Sequence, residues 1–221
     1  MARIFSAWRL VIFALTLISG PVSLDMVFAA SPASAQMEVE QNGEQENASW
    51  NLKQGNQNYN NQQYEEAISF YSRAAELYEQ DNDLYKVAEA LNRTGLSHRH
   101  LQDYSTAIAF YEKSLEIYQR LGSKSDEAKL FNNIGVSLYY LERYHDSIQK
   151  HQMALRIRGT LGSKQDIIES LENMMKPYKK LGDEDKVLAL RQTVVEMKRT
   201  TSKSSNDPRT DMNRNDSSNS R

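Results

Sequence analysis

The chain repeats itself at an interval of forty residues. Gly55, Gly95 and Gly135 are followed at one fixed distance by Tyr64, Tyr104 and Tyr144, and then by Ala67, Ala107 and Ser147. A fourth copy carries Met175 and Val187 at the Gly and Ala places. A pattern that recurs at this length belongs to a stack of supersecondary units, each burying its apolar face against its neighbours. A stack extends a surface instead of closing around one catalytic centre, so the period directs attention to binding.

Within each copy the apolar residues follow helical spacing. Phe131, Ile134, Gly135 and Leu138 recur at i, i+3, i+4 and i+7, and Leu91, Thr94, Gly95 and His98 repeat the set forty residues earlier. Leu171, Met174, Met175 and Tyr178 repeat it once more. A short turn such as Leu101-Gln102-Asp103 or Leu141-Glu142-Arg143 precedes a second amphipathic stretch, where Ala107, Phe110, Tyr111, Ser114 and Leu115 mark the buried stripe. The expectation is all-α, with two helices per unit. Four prolines and nine glycines in 221 residues leave that pattern little broken.

The junctions repeat too. Leu121-Gly122-Ser123-Lys124 returns as Leu161-Gly162-Ser163-Lys164. Gly122 and Gly162 suit the left-handed residue that ends a helix. Ser123 with Asp126, and Ser163 with Asp166, resemble a capping box with Asp in the place of Glu.

The flanks read differently. Arg3 and Arg9 precede an apolar run from Leu10 to Ile18, Gly20-Pro21 breaks it, and Ala33-Ser34-Ala35 offers a cleavage site. Residues 1–35 are therefore expected to be a secretory signal peptide, and the mature chain periplasmic or extracellular. An uncleaved segment would instead tether the protein to a membrane. Residues 36–48 are acidic and without apolar period, a flexible linker, and residues 200–221 are polar, a disordered tail. With no cysteine, disulfides, thiol catalysis and cysteine metal sites drop out, and packing must supply stability. A net charge of −2 gives no electrostatic case for nucleic acid.

Residues 49–199 resemble the tetratricopeptide repeat family through Ile134-Gly135, Tyr144 and Ala154, then Gly95, Tyr104, Ala107 and Leu115, then Gly55, Tyr64, Ala67 and Ala74. The units are longer than the usual 34 residues and resemble those of kinesin light chains and Leu-Gly-Asn repeat proteins. The resemblance implies a right-handed α-solenoid of about four units and eight helices, at about 49–82, 83–122, 123–162 and 163–199. Asn51, Gln54 and Asn58 make the first unit polar, as a cap would be. In the fourth unit Met175 and Val187 replace Gly and Ala, and looser packing is expected there.

The resemblance further implies a concave groove lined by the first helices. Its outward positions are Leu52, Asn56 and Tyr59; Asn92, Leu96 and Arg99; Asn132, Val136 and Tyr139; and Glu172, Lys176 and Lys179. Asn92 and Asn132 are the leading candidates, because a carboxamide both donates and accepts and can clamp the backbone of an extended peptide. The alternative for each is a solvated helical amide. Tyr59 and Tyr139 are candidates for packing against peptide side chains, or are core. Arg99, Lys176 and Lys179 are candidates for an acidic or C-terminal carboxylate, or are solvated charges.

Sharper chemistry is not supported. The family's carboxylate clamp fits poorly: Asn56 and Lys129 match it, but Leu52, Arg93 and Asn133 stand at its other places. His98 and His100 face different sides of a helix, and His145 and His151 lack a third ligand nearby in sequence, so no metal or cofactor is expected. No phosphate loop or nucleophile elbow occurs, so an enzyme is not expected. The sequence reads as an exported, non-catalytic scaffold for a protein or extended peptide. An alternative is an assembly factor of a membrane or envelope complex, working through its end faces or as a homo-oligomer.

Overall fold

The computed structural model describes residues 47–205, with side chains placed through residue 200. The expected signal peptide, most of the linker, and residues 206–221 lie outside the described residues. The described chain is eight α-helices: α1 Ala48–Asn60, α2 Tyr64–Gln80, α3 Leu84–His100, α4 Tyr104–Leu121, α5 Lys124–Tyr140, α6 Tyr144–Leu161, α7 Lys164–Lys180 and α8 Glu184–Ser205. Each packs on the next in sequence, and α5 also touches α7. Odd-numbered helices are the first of each unit and even-numbered helices the second.

Turn chemistry fixes where helices begin. The side chains of Asn47, Asp83, Asp103 and Asp183 each accept from the backbone N–H three residues on, which satisfies a donor that a helix start leaves orphaned. Ser123 and Ser163 do sit at the N-cap positions, but neither side chain caps the helix. Ser123 Oγ donates to Asp126 Oδ2 at 2.7 Å. Aspartate is one methylene shorter than the glutamate of a capping box, and here it takes the serine hydroxyl itself.

Helix ends follow a second rule. Left-handed backbone occurs at Gln62, Asn82, Gln102, Gly122, Glu142, Gly162 and Gly182, one position every twenty residues. The turn within a unit and the turn between units thus use the same device. Glycine fills it only three times, and Gln62, Gln102 and Glu142 accept the steric cost of a Cβ there.

Small residues let the paired helices close. A Cβ at Gly55 would lie 2.5 Å from the Tyr71 ring, at Gly95 2.6 Å from Tyr111, and at Gly135 2.7 Å from His151. In each of these three units a glycine of the first helix receives a ring from the second, sixteen residues on. Ala67, Tyr71 and Ala74 are buried, as are Ala107, Tyr111, Leu115 and Tyr118 with Leu130, Ile134 and Leu138 across the next interface. The fourth unit has lost both members of the contact, since Met175 stands for the glycine and exposed Arg191 for the ring. Its core rests instead on Ile168, Leu171 and Val194, with Leu155 and Leu190 packed around them.

Two features depart from the sequence reading. Buried Pro177 lies inside α7, where it removes one backbone donor without ending the helix. Helix α8 runs on to Ser205, into the stretch read as tail, because no glycine or proline interrupts the sequence between Glu184 and Ser205.

Candidate binding face

The two leading asparagines belong to a repeated hydrogen-bond ladder across first helices. Asn133 Nδ2 donates to Asn92 Oδ1 at 3.2 Å, and Asn173 Nδ2 donates to Asn132 Oδ1 at 3.1 Å. Each rung joins residues 41 apart, one unit plus one position. At the first junction the matching places hold Leu52 and Arg93, and Arg93 pairs with Glu89 at 3.7 Å.

The two amides end up in different states. Asn132 is buried, its Oδ1 also lies 3.0 Å from His151 Nδ1, and its Nδ2 donates to Glu169 at 3.1 Å. Glu169 in turn reaches buried Arg158 at 3.2 Å. Asn92 is half-buried, and its Nδ2 keeps both hydrogens free of any described residue. A peptide carbonyl would therefore meet a ready donor at Asn92, whereas Asn132 chiefly binds three helices together.

Aromatic rungs run alongside. Tyr64 stacks on His100 with centroids 4.8 Å apart and planes at 14°, and Tyr104 stacks on Tyr140 at 4.9 Å and 7°. Tyr59 packs edge-on against both Tyr64 and His100, so it is part of this rung. Burial raises its hydroxyl pKa. At the third place Tyr144 would meet Lys180, and the series of rings stops.

These rungs border two depressions. Arg99, His100, Gln102, Tyr104, Val136 and Tyr140 line an open pocket of about 350 Å³. Val136, Tyr139, Tyr140, His151, Asn173 and Lys176 line a pit of about 10 Å³. Of the sequence candidates, the pit joins Tyr139 with Lys176, and the pocket takes Arg99. Asn56 is turned to its own unit, where its Oδ1 accepts from Tyr71 Oη at 2.9 Å. Lys179 is exposed on α7 beyond both depressions.

Sequence reasoning missed Asn133, Asn173, Glu169 and His151. A repeat of amides at an offset of 41 was the available signal for the first two. His151 was legible only as the residue aligned with Tyr71 and Tyr111, which made it look like plain core.

Helix pairs stacked at a forty-residue period, with glycine–ring contacts inside units and side-chain rungs between them, define an all-α repeat solenoid. Residues 46–120 match the tetratricopeptide repeat family, and the helix pairs that follow continue the same architecture. Solved structures share the fold. BtubC (BKLC) from P. vanneervenii is 22% identical with a TM-score of 0.65, covering 70% of this chain and 64% of its own. The apo form of RapI is 16% identical with a TM-score of 0.68, covering 77% and 64%. The Rap conjugation gene regulator of the plasmid pLS20, in complex with the Phr* peptide, is 18% identical with a TM-score of 0.59, covering 81% and 48%. This chain thus spans less than two thirds of the length of each. No curated protein sequence matches the chain.

Proposed function

We propose that this protein is an exported, non-catalytic scaffold that holds an extended segment of a protein partner along its first helices. The observation that carries the reading is the Asn92 carboxamide, whose oxygen is fixed by Asn133 while its nitrogen stays free to donate. A donor immobilised in this way binds a backbone carbonyl with little ordering cost and without regard to side chains. Arg99, seven residues on along the same helix face, lines the 350 Å³ pocket and adds a cation for an acidic residue of the segment. The Phr* complex of the Rap regulator lends support, since a protein of similar fold carries a peptide.

The test is capture from the cell envelope by the mature chain, compared with Asn92→Ala plus Arg99→Ala. Loss of the partner from the double variant is expected, and undiminished capture refutes the groove reading. Asn132→Ala is unsuitable, because it would also break bonds among α5, α6 and α7. Export has its own check: N-terminal sequencing of the secreted or periplasmic protein should begin at Gln36, and an intact Met1 in the cytosol refutes it.

A second reading, assembly through an end face, is favoured by α8. Exposed Leu188 and Val195 stand at the places where Ile148 and Leu155 of α6 pack toward the next unit. Light scattering decides between a monomer and a self-associating form that Leu188→Glu would dissolve.

A further inference from the structure

His151 is 1% exposed and occupies the place of a tyrosine ring. The state of its imidazole follows from its neighbours. The Glu169 carboxylate only accepts, so the Asn132 atom facing it is the donating nitrogen. Asn173 Nδ2 donates to the opposite atom, which is therefore the oxygen. His151 Nδ1, 3.0 Å from that oxygen, must carry the hydrogen. The neutral ring then holds its lone pair on Nε2. Burial first, and Lys176 and Arg158 after it, lower the His151 pKa to about 4, so the ring is neutral at physiological pH.

Among the described residues Nδ1 is the ring's one hydrogen-bonded nitrogen. The ring borders the 10 Å³ pit beside Lys176. That volume suits one water-sized group. With Nδ1 engaged by Asn132, Nε2 is the ring nitrogen left to accept from a group in the pit, and Lys176, whose ammonium donates to Asn173 Oδ1 at 3.4 Å, lines the same pit as a donor.

This pairing selects among ligand chemistries. A metal ion would find one imidazole next to a cation, and no group of three His, Cys, Asp or Glu stands together among the described residues. An ammonium would be repelled by Lys176. A backbone amide is too large to enter. A hydroxyl fits, because one oxygen can donate to Nε2 and accept from Lys176.

We propose that the pit is a subsite for a single serine or threonine hydroxyl of the bound segment, with His151 Nε2 as acceptor and Lys176 as donor. The proposal rests on the groove reading and supplies the sequence selectivity that a backbone clamp at Asn92 lacks. Phage-displayed random twelve-residue peptides, selected on the full chain, provide the probe. Selected peptides should share a Ser or Thr at one place. Replacing it by Ala or Val should weaken binding about 2- to 10-fold on the wild type, the range of one neutral hydrogen bond. On His151→Phe, which keeps the ring and removes both nitrogens, the loss should shrink, since only the Lys176 bond remains. On Lys176→Met, a surface change that spares the core, the loss should shrink.

An undiminished loss on both variants overturns the subsite. So does a peptide pool with no preferred hydroxyl whose binding still depends on Asn92 and Arg99, a result that leaves the groove reading standing. Failure to select any peptide overturns both. Long-range nitrogen–proton NMR of His151 gives a ligand-free check: a hydrogen on Nδ1 is required, and one on Nε2 refutes the assignment.

Discussion

Gly95→Ala and Gly159→Ala are the same chemical change and should move stability in opposite directions. At Gly95 the added Cβ would lie 2.6 and 2.7 Å from Tyr111 ring atoms and 3.1 Å from the Ala107 carbonyl oxygen. Unstrained carbon contacts are about 3.5–4.0 Å, so the ring must yield by roughly 1 Å. Tyr111 is fully buried, and the Ala107 contact is backbone, so α3 and α4 themselves must separate. Overpacking of this kind costs about 1–3 kcal/mol, and better helix propensity returns about 0.5–1 kcal/mol. A net loss of about 1–2 kcal/mol is expected. At Gly159, exposed in α6, an added Cβ would meet nothing within 4 Å. There only the propensity acts, and a gain of about 0.5–1 kcal/mol is expected. Urea unfolding followed by circular dichroism measures both. If Gly95→Ala leaves the midpoint unmoved, or Gly159→Ala lowers it, the claim that glycine is present for close approach is refuted.

Tyr111 Oη is buried without a hydrogen-bond partner, because Leu96 stands where Asn56 serves Tyr71. Tyr111→Phe should therefore stabilise by about 1 kcal/mol, while Tyr71→Phe should cost about as much, both read as urea midpoints. The His151 pKa is lowered from 6.5 to about 4 in the folded chain, so between those values the unfolded chain holds the extra proton. Stability should fall as pH drops from about 6.5 to about 4, by roughly 3 kcal/mol, and pH-dependent unfolding of His151→Phe should lack that component. Glu142, with φ of 60°, is strained where Gly182 is not. Glu142→Gly should raise the thermal midpoint, with relief of about 1 kcal/mol.

The helices and their pairing were legible because the forty-residue period, the apolar spacing and the Gly122 and Gly162 junctions all pointed the same way. Tyr139 and Lys176, both picked by counting from the glycine, line one pit. The same counting put Asn92 and Asn132 in equivalent positions, and there it ran out. Whether an amide is free depends on what the next unit offers: Glu169 and His151 engage Asn132, and neither has a counterpart doing so at Asn92. A one-dimensional period carries register within a unit. It does not carry the extra position by which neighbouring units are offset, and the amide ladder lives in that offset.

The left-handed turns have a consequence for how such a chain can change length. Backbone turns recur every twenty residues, but the glycine–ring contacts recur every forty. Cutting out residues 83–122 joins Asn82 to Ser123 and keeps both rhythms. Cutting out only 83–102 preserves the turn spacing, yet sets α4 where α3 had been, so that Leu115 rather than Gly95 comes to stand forty residues after Gly55. The slot that receives a ring is lost, and with it the interlock that keeps two helices together. Gain and loss of material in this protein is thereby quantised in whole helix pairs, although its main chain alone would tolerate halves.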